Sequence, residues 1–321
     1  MSKCTLADVA KACNVSRYTV SRAINDKKDI SKETKEMILT VAKEMGYIVN
    51  MNARNLRIGS TKNIAIIYDD FENPYYNMII KELAIKLNER NYSITLFYDF
   101  DSISLVNTGL LKRVLSSNID GIISFIGLTD NAKKLNEIWK KPMVQLSRST
   151  KIDIDQVYFD NENGGYIITK HLIEQGYKKI GFLALEEKVI GVYDRTIGYR
   201  RALKECNIDF DENMLIELAD EKITFEDAVD KLIEHHADSI ICYSDILAFK
   251  VLKLLKDKNL NIKVTGFDNI QQSLNIPVDI ATVAGSIEKL VDSTIDIIFS
   301  RINEPQFENF KTVVIPVHII D

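Results

Sequence analysis

What this 321-residue chain lacks narrows it first. It has four cysteines, Cys4, Cys13, Cys206 and Cys242, with no C-x-x-C spacing and no histidine partner. They read as reduced intracellular thiols, which excludes a disulfide framework and a zinc site. No run approaches the ~20 consecutive apolar residues that a membrane span needs. The opening "MSKCTLADVAKACN" has no apolar segment of signal-peptide length, so the expected location is the cytoplasm. Catalytic motifs are missing too: there is no G-x-G-x-x-G, no GK[ST] loop, no H-E-x-x-H and no G-x-S-x-G. The four histidines lie apart except for His235 and His236, on an expected solvent face. "SIEK" (286–289) matches S-x-x-K without the companion motifs of β-lactamase chemistry. The expectation is a protein that is not an enzyme, with no catalytic residue, no cofactor and no metal.

What is present is a body of ample apolar content with a head of opposite charge. Apolar types make up 46% of the residues, enough for two or three domains with real cores. The net charge is −5, but residues 1–60 carry 11 Lys plus Arg against 6 Asp plus Glu, so that piece is +5 and the rest is −10. A basic head on an acidic body points to nucleic-acid binding at one end.

In the head, Thr5 and Asp8 form a capping box, and Leu6, Val9, Ala10 and Cys13 give a short helix one apolar face. Asn14 can take a left-handed turn, and Ser16 can cap a second helix that runs to about Asn25. Two short helices joined by a tight turn are the helix-turn-helix pattern. At 100° per residue Val20, Ala23 and Ile24 share one arc of the second helix, while Arg17, Tyr18, Ser21 and Arg22 share the next. One side packs, and the other is free to enter a major groove, where Arg can take both acceptors of a guanine. Read as an isolated helix, the same arginines are ordinary solvated charges. "ISKETKEMILTVAKEMGY" supplies a third helix, with Ser31 as cap, Ile38, Val41, Ala42 and Met45 inward, and Gly46 as terminator.

"TLADVAKACNVSRYTVSRAIN", followed by "ISKETKEMILTVAKEMGY" and "NARNLR", resembles the DNA-binding head and hinge of the lactose/galactose repressor family of bacterial transcription regulators, and the resemblance continues along the whole chain. It implies that Arg17, Tyr18 and Arg22 read the operator, while Thr5, Ser16, Thr19, Ser21 and Asn25 hold phosphates or helix ends. "NARNLR" is too short to be a stable helix in water. The resemblance makes it a hinge helix that pairs with its mate on DNA, with Asn52, Ala53, Arg54, Leu56 and Arg57 at the duplex and Leu56 wedged into the minor groove. Leu56 as a buried linker anchor is the plainer alternative. Where the family commonly has a proline three positions after Gly46, this chain has Val49.

From Asn63 onward, short apolar runs ("NIAIIY", "SITLFY", "GIISFI", "PMVQLS", then "KIGFLAL", "SIICYS", "KVTGF") alternate with amphipathic stretches. This predicts an α/β body of doubly wound parallel sheets behind the all-α head. The resemblance implies a two-lobed core related in fold to periplasmic sugar-binding proteins, crossed three times by the chain near Asp160, Gly285 and Ile315. The expected organisation is a head over 1–48, a hinge and linker over 49–61, and an effector-binding and dimerisation core over 62–321. Within the core, one lobe takes about 62–160 and 286–315, the other about 161–285 and 316–321.

Ligands in open parallel sheets lie beyond the carboxyl ends of the strands. There this chain places "DDFENPYY", "SRST", "FDN", "YDRTIGY", "YSD" and "GFDN", rich in aromatic rings and in groups that bind hydroxyls in pairs. The resemblance carries ligand contacts onto Arg195 and Asp268, and onto Tyr75, Tyr76, Arg148 and Ser244; Asn73 and Asp160, in the same stretches, are further candidates. Asn73 and Asp160 equally suit helix starts. Ser147 stands where the family often has Asp, and Ser286 where it has proline. "VIGV" before Asp194 lacks the polar side chains that purine-binding members place there, which favours a sugar or sugar derivative. The implied partners are a pseudo-palindromic double-stranded DNA operator, a small carbohydrate effector and a second copy in a homodimer, with no membrane and no tetramerising tail. The implied function is a repressor whose operator affinity is set by that ligand. The alternatives are a solute-binding protein of the same core fold and a nucleoside-responsive regulator.

Overall fold

A computed structural model describes residues 4–27, 29–48, 60–100, 105–185, 192–218, 223–274, 280–305 and 308–321. The chain divides into two units, residues 1–60 and residues 61–321.

The smaller unit holds helices α1 (Leu6–Ala12), α2 (Arg17–Ile24) and α3 (Lys32–Glu44). The Thr5–Asp8 capping box is closed in both directions: Thr5 Oγ1 accepts from the Asp8 N–H at 3.3 Å, and Asp8 Oδ2 accepts from the Thr5 N–H at 2.8 Å. Asn14 takes the left-handed turn (φ 52°) and Gly46 ends α3 likewise (φ 64°). Val9, Ala10, Val20, Ala23, Ile38 and Ala42 form the buried core. Met45 departs from the inward position its spacing predicts. It caps α3 after the last helical residue and is exposed, while Tyr47 packs on the core from beyond the helix.

The larger unit has two six-stranded sheets. Sheet 1 runs β11-β5-β4-β3-β1-β2 and sheet 2 runs β12-β10-β9-β8-β6-β7. In sheet 1, β1 is Asn63–Tyr68, β2 Ser93–Tyr98, β3 Gly121–Ser124, β4 Met143–Leu146, β5 Asp155–Phe159 and β11 Thr312–Ile315. In sheet 2, β6 is Ile180–Leu185, β7 Leu215–Leu218, β8 Ser239–Cys242, β9 Lys263–Phe267, β10 Thr282–Gly285 and β12 Val317–Ile320. Pairing is parallel throughout except at the sheet 2 edge, where β12 lies antiparallel to β10. A parallel strand needs a crossover of a dozen residues or more; β12 follows β11 after Pro316 alone, and arrives by changing sheets. The chain also leaves sheet 1 after Phe159 and sheet 2 after Gly285. These passages meet at Gly285, whose Cβ, if it had one, would lie 3.0 Å from the Pro316 carbonyl oxygen and strike the Phe159 ring.

The helices that carry the site all begin just past strand ends: α4 (Pro74–Glu89), α7 (Asn161–Glu174), α8 (Val192–Glu205) and α10 (Asp245–Asp257), counting α5 (Thr108–Leu115), α6 (Asp130–Trp139) and α9 (Phe225–Glu234) in between. The short α11 (Ile270–Leu274) and the long α12 (Ile287–Asn303) follow. α12 starts from the end of sheet 2 yet buries Leu290, Val291, Ile295 and Ile298 against sheet 1. It is locked there by Arg301, which donates from Nε and Nη2 to the two oxygens of Asp155 on β5, both at 2.8 Å and both residues buried. α7 and α8 pack backbone to backbone. A Cβ on Gly165 would meet the Arg195 carbonyl carbon at 2.8 Å, and one on Gly198 would meet the Tyr166 nitrogen at 2.5 Å. Only glycine permits this approach.

Candidate DNA-reading helix and ligand cleft

In the smaller unit α2 turns its apolar side into the core and leaves Arg17 and Tyr18 exposed, Tyr18 at 67% of its free surface. Ser16 caps the helix, its Oγ accepting from the Thr19 N–H at 3.0 Å and lying 2.9 Å from the Thr19 hydroxyl. Asn25 closes the other end by donating to the Ser21 carbonyl at 2.6 Å. Thr5, Ser16, Thr19, Ser21 and Asn25 therefore already serve the helix ends. Arg22 donates to Asp29 from Nε at 2.9 Å and to the Tyr18 hydroxyl, and its guanidinium lies 5.0 Å from the Tyr18 ring centre. This stacked pair holds both side chains on the free arc beside Arg17. Asn52, Ala53, Arg54, Leu56 and Arg57 fall outside the described residues.

In the larger unit a cleft of about 220 Å³ opens between the sheets' carboxyl ends, lined by Tyr75, Tyr76, Ser147, Arg148, Phe159 and Asn73 from the sheet 1 side and by Asn161, Arg195, Tyr243, Ser244, Lys250 and Asp268 from the other. Its two halves are built alike, each around a guanidinium with a carboxylate. On the sheet 1 side the buried Arg148 donates to the Tyr76 hydroxyl at 2.8 Å and lies 3.5 Å from Asp69 Oδ2. Burial pushes the Tyr76 phenol up to about 12, with Arg148 acting the other way and Asp69 adding to the rise. The Tyr75 phenol is raised further, by burial and then by Asp268 across the cleft, and its hydroxyl is 3.4 Å from Ser147 Oγ.

On the opposite side Arg195 is caged. Its Nε donates to Asn161 Oδ1 at 2.9 Å, Nη1 donates to the Tyr243 carbonyl, Nη2 is 3.8 Å from Asp268, and its charge lies 4.1 Å and 4.5 Å from the Phe267 and Tyr243 ring centres. Burial pushes the Asp268 carboxyl up to about 6, partly offset by Arg195. Behind it the fully buried Asp245, bonded by the Thr282 hydroxyl at 2.6 Å and the Ile270 N–H at 2.9 Å, is pushed up to about 7 by burial and then by Asp268. Two residues that line the cleft hold positive φ without being glycine, Ser147 (64°) and Asp268 (98°), and Asn269 (51°) follows directly. Backbone strain of this kind persists only where the surroundings impose it, and it clusters at binding sites.

Of the residues singled out in sequence, Tyr75, Tyr76, Arg148, Arg195 and Asp268 converge on the cleft with side chains aimed at one another. Asn73 and Ser244 line it too, but each caps a helix, accepting from the Tyr75 N–H at 3.1 Å and the Leu247 N–H at 3.4 Å. Asp160 caps α7 through the Asn163 N–H at 3.0 Å and lies in a narrower recess with Gly164, Phe267 and Gly285. Asp69, Asn161, Tyr243, Lys250 and Asp245 complete the site without having been singled out. Asp69, Asn161, Tyr243 and Asp245 lie inside the strand-end stretches, while Lys250 stands about one and a half turns into α10, one turn after Ile246 on the same face. Among the described residues no His, Cys, Asp and Glu cluster could hold a metal, and no helix is long and apolar enough to cross a membrane.

A three-helix helix-turn-helix unit followed by two parallel-rich sheets around a polar cleft defines a DNA-binding regulator with a ligand-binding core of the periplasmic-binding-protein kind. The comparisons agree. Residues 5–50 match the family described as bacterial regulatory proteins, lacI family, and residues 61–304 match periplasmic binding proteins and sugar binding domain of LacI family. The chain belongs to the LacI family of bacterial transcriptional regulators. It is 27% identical over 308 residues to the HTH-type transcriptional repressor PurR of Mannheimia succiniciproducens, covering 93% of this chain and 92% of that protein. Among solved structures it is similar to the Lac repressor dimer bound to operator and the anti-inducer ONPF, at a TM-score of 0.85 with 18% identity, over 100% of this chain and 98% of that one. It is also similar to the transcriptional regulator CelR in complex with cellobiose, at a TM-score of 0.71 with 22% identity, over 99% of each chain.

Proposed function

We propose that this protein is a repressor that binds a pseudo-palindromic operator as a homodimer and is released from it when a small, uncharged polyhydroxy ligand, a sugar or sugar derivative, occupies the cleft. The observation that carries this is the pairing of Arg148 with Asp69 and of Arg195 with Asp268 on facing walls. Each guanidinium already has its counter-ion, so an anionic ligand must displace a carboxylate. A hydroxyl can instead donate to the carboxylate while accepting from the guanidinium, and two such pairs read vicinal hydroxyls. The rings of Tyr75, Phe159 and Tyr243 supply faces for the apolar side of a sugar. The cleft volume is below the ~300–1,000 Å³ usual for drug-sized ligands, which suits a small sugar. The cellobiose complex of a related fold supports the same ligand class.

The test is a thermal-shift screen of the full-length protein against neutral sugars, sugar phosphates and nucleosides. A ligand that binds only the native state stabilises it by about 2.7 kcal/mol at 100 times its Kd. A neutral sugar should score, lose its effect in Asp268→Ala, and weaken binding to DNA selected from a random pool. Nucleosides scoring instead of sugars would establish the nucleoside-responsive reading. An unchanged affinity in Asp268→Ala would refute the pocket.

A further inference from the structure

Thr61 and Lys62 open the larger unit, and the turn they form is pinned from several sides. Asp120, between α5 and β3, accepts the Thr61 N–H at 2.7 Å and the Thr61 hydroxyl at 2.9 Å on Oδ1, and the Lys62 N–H at 3.0 Å on Oδ2. Lys62 has φ 52°, a left-handed conformation that a residue with a long side chain adopts only when surroundings impose it. The Lys62 carbonyl accepts the Ser93 N–H at 2.9 Å, and its ammonium lies 4.5 Å from the centre of the Tyr92 ring. Tyr92 is itself buried, with its edge packed on Phe299 at 4.8 Å. The Asp120 N–H returns to the Asn63 carbonyl at 2.8 Å. A chain merely passing from a loop into a strand needs neither a strained turn nor a dedicated carboxylate.

We propose that Asp120 and Lys62 form a clamp that sets the direction in which the linker leaves the core, so that Asp120 is a positioning residue for the control of DNA binding; this rests on the regulator reading above. The physical basis is slack. With the exit fixed, a rotation of the sheet 1 lobe displaces the chain at Thr61 and Lys62 by a defined amount. With the exit frayed, the core moves and the linker does not have to follow.

The experiment compares full-length wild type with Asp120→Ala, Asp120→Asn and a control, Asp153→Ala, which removes an exposed ion pair with Lys133. Amide hydrogen exchange at Thr61 and Lys62 should speed up about tenfold or more in Asp120→Ala, on the scale of a lost hydrogen bond to a charged group, and should be unchanged in the control. Affinity for DNA selected by the wild type from a random pool should fall about tenfold, with base preference and salt slope unchanged because the reading helix and phosphate contacts are intact. Asp120→Asn, which keeps one acceptor, should fall between. Faster exchange at Thr61 and Lys62 with unchanged operator affinity overturns the positioning role, and unchanged exchange overturns the clamp. A wild type that selects no sequence overturns the regulator reading, and with it the regulatory role, whatever the exchange shows.

Discussion

Gly165→Ala sets two ordinary effects against each other, and the geometry decides between them. In a helix interior, alanine is favoured over glycine by about 1 kcal/mol, so propensity alone makes the variant more stable. The added Cβ, however, would lie 2.8 Å from the carbonyl carbon and 3.0 Å from the Cα of Arg195, and nearer still to the carbonyl oxygen, where ordinary contact begins at 3.4 Å. These are backbone atoms of α8, so no rotamer change relieves the clash and the two helices must part. Overpacking of a dense interior costs about 1–3 kcal/mol, and with backbone on both sides the upper end applies, leaving a net loss of about 2 kcal/mol after the propensity gain. The same separation strains the 2.9 Å bond from Arg195 Nε to Asn161, which stands at the start of α7. The variant should therefore lose both stability and affinity for cleft ligands. Urea unfolding of the full-length protein followed by circular dichroism, with the slope of the transition checked for constancy, measures the first, and titration of the screened ligand measures the second. A Gly165→Ala protein as stable as wild type, or more so, would show that the helix approach is soft and that Arg195 is not positioned by it.

Arg301→Ala leaves Asp155 buried without its cation and should cost about 3–5 kcal/mol; a loss under about 1 kcal/mol in the same unfolding assay would mean that water repairs the site. Burial pushes Asp245 up to about 7 and Asp268 up to about 6, above the ordinary 3.8, so between about pH 4 and pH 7 these two carboxyls ionise first in the unfolded chain and their contribution to stability falls as pH rises. Asp245→Asn should flatten that slope in a melting-temperature series, and an unchanged slope would place the titration elsewhere. Tyr18→Ala and Arg22→Ala should each change the bases preferred in site selection, since a base contact is worth about 1–3 kcal/mol of discrimination; retention of the wild-type preference by both would remove α2 as the reading helix.

Strands that are fully buried and four to six residues long announce themselves as apolar runs, which is why β1, β3, β4, β6, β8 and β9 are legible in the chain. β7 is only partly buried, and "LIEL" carries a charged residue inside the run. β12 is an antiparallel edge added after one proline, which no periodicity encodes. The site divides in the same way. Arg195, Arg148 and the tyrosines are chemically conspicuous beyond strand ends, whereas Asn161 and Asp69 matter through one bond each to a guanidinium contributed from elsewhere in the chain. Those bonds depend on tertiary placement, as does the left-handed Ser147, whose residue type gives no hint of its backbone.

One strand joins the two places where regulation must act. β1 begins at Asn63, directly after the Lys62 turn, and ends at Tyr68, directly before Asp69, which pairs with Arg148, and Asp70, which lines the cleft. Its six residues span about 20 Å at ~3.3 Å per residue. It is flanked by β2 and β3, and all but its first residue are buried. A close-packed element of this kind does not stretch or bend to carry a signal. On the function proposed above, a ligand that draws Arg148 and Tyr76 toward Arg195 moves the sheet 1 lobe as a body about the Phe159–Gly285–Pro316 meeting point, and the chain at Thr61 and Lys62 with it. Coupling between ligand and DNA is reciprocal and usually about 1–3 kcal/mol. On this basis Gly285→Ala, which drives a methyl group into Phe159 and the Pro316 carbonyl, should change the ratio of ligand affinities measured with and without operator more than it changes ligand affinity for the free protein. Calorimetric titrations of the variant under both conditions measure that ratio, and a wild-type ratio in a folded Gly285→Ala protein would exclude the meeting point as the pivot.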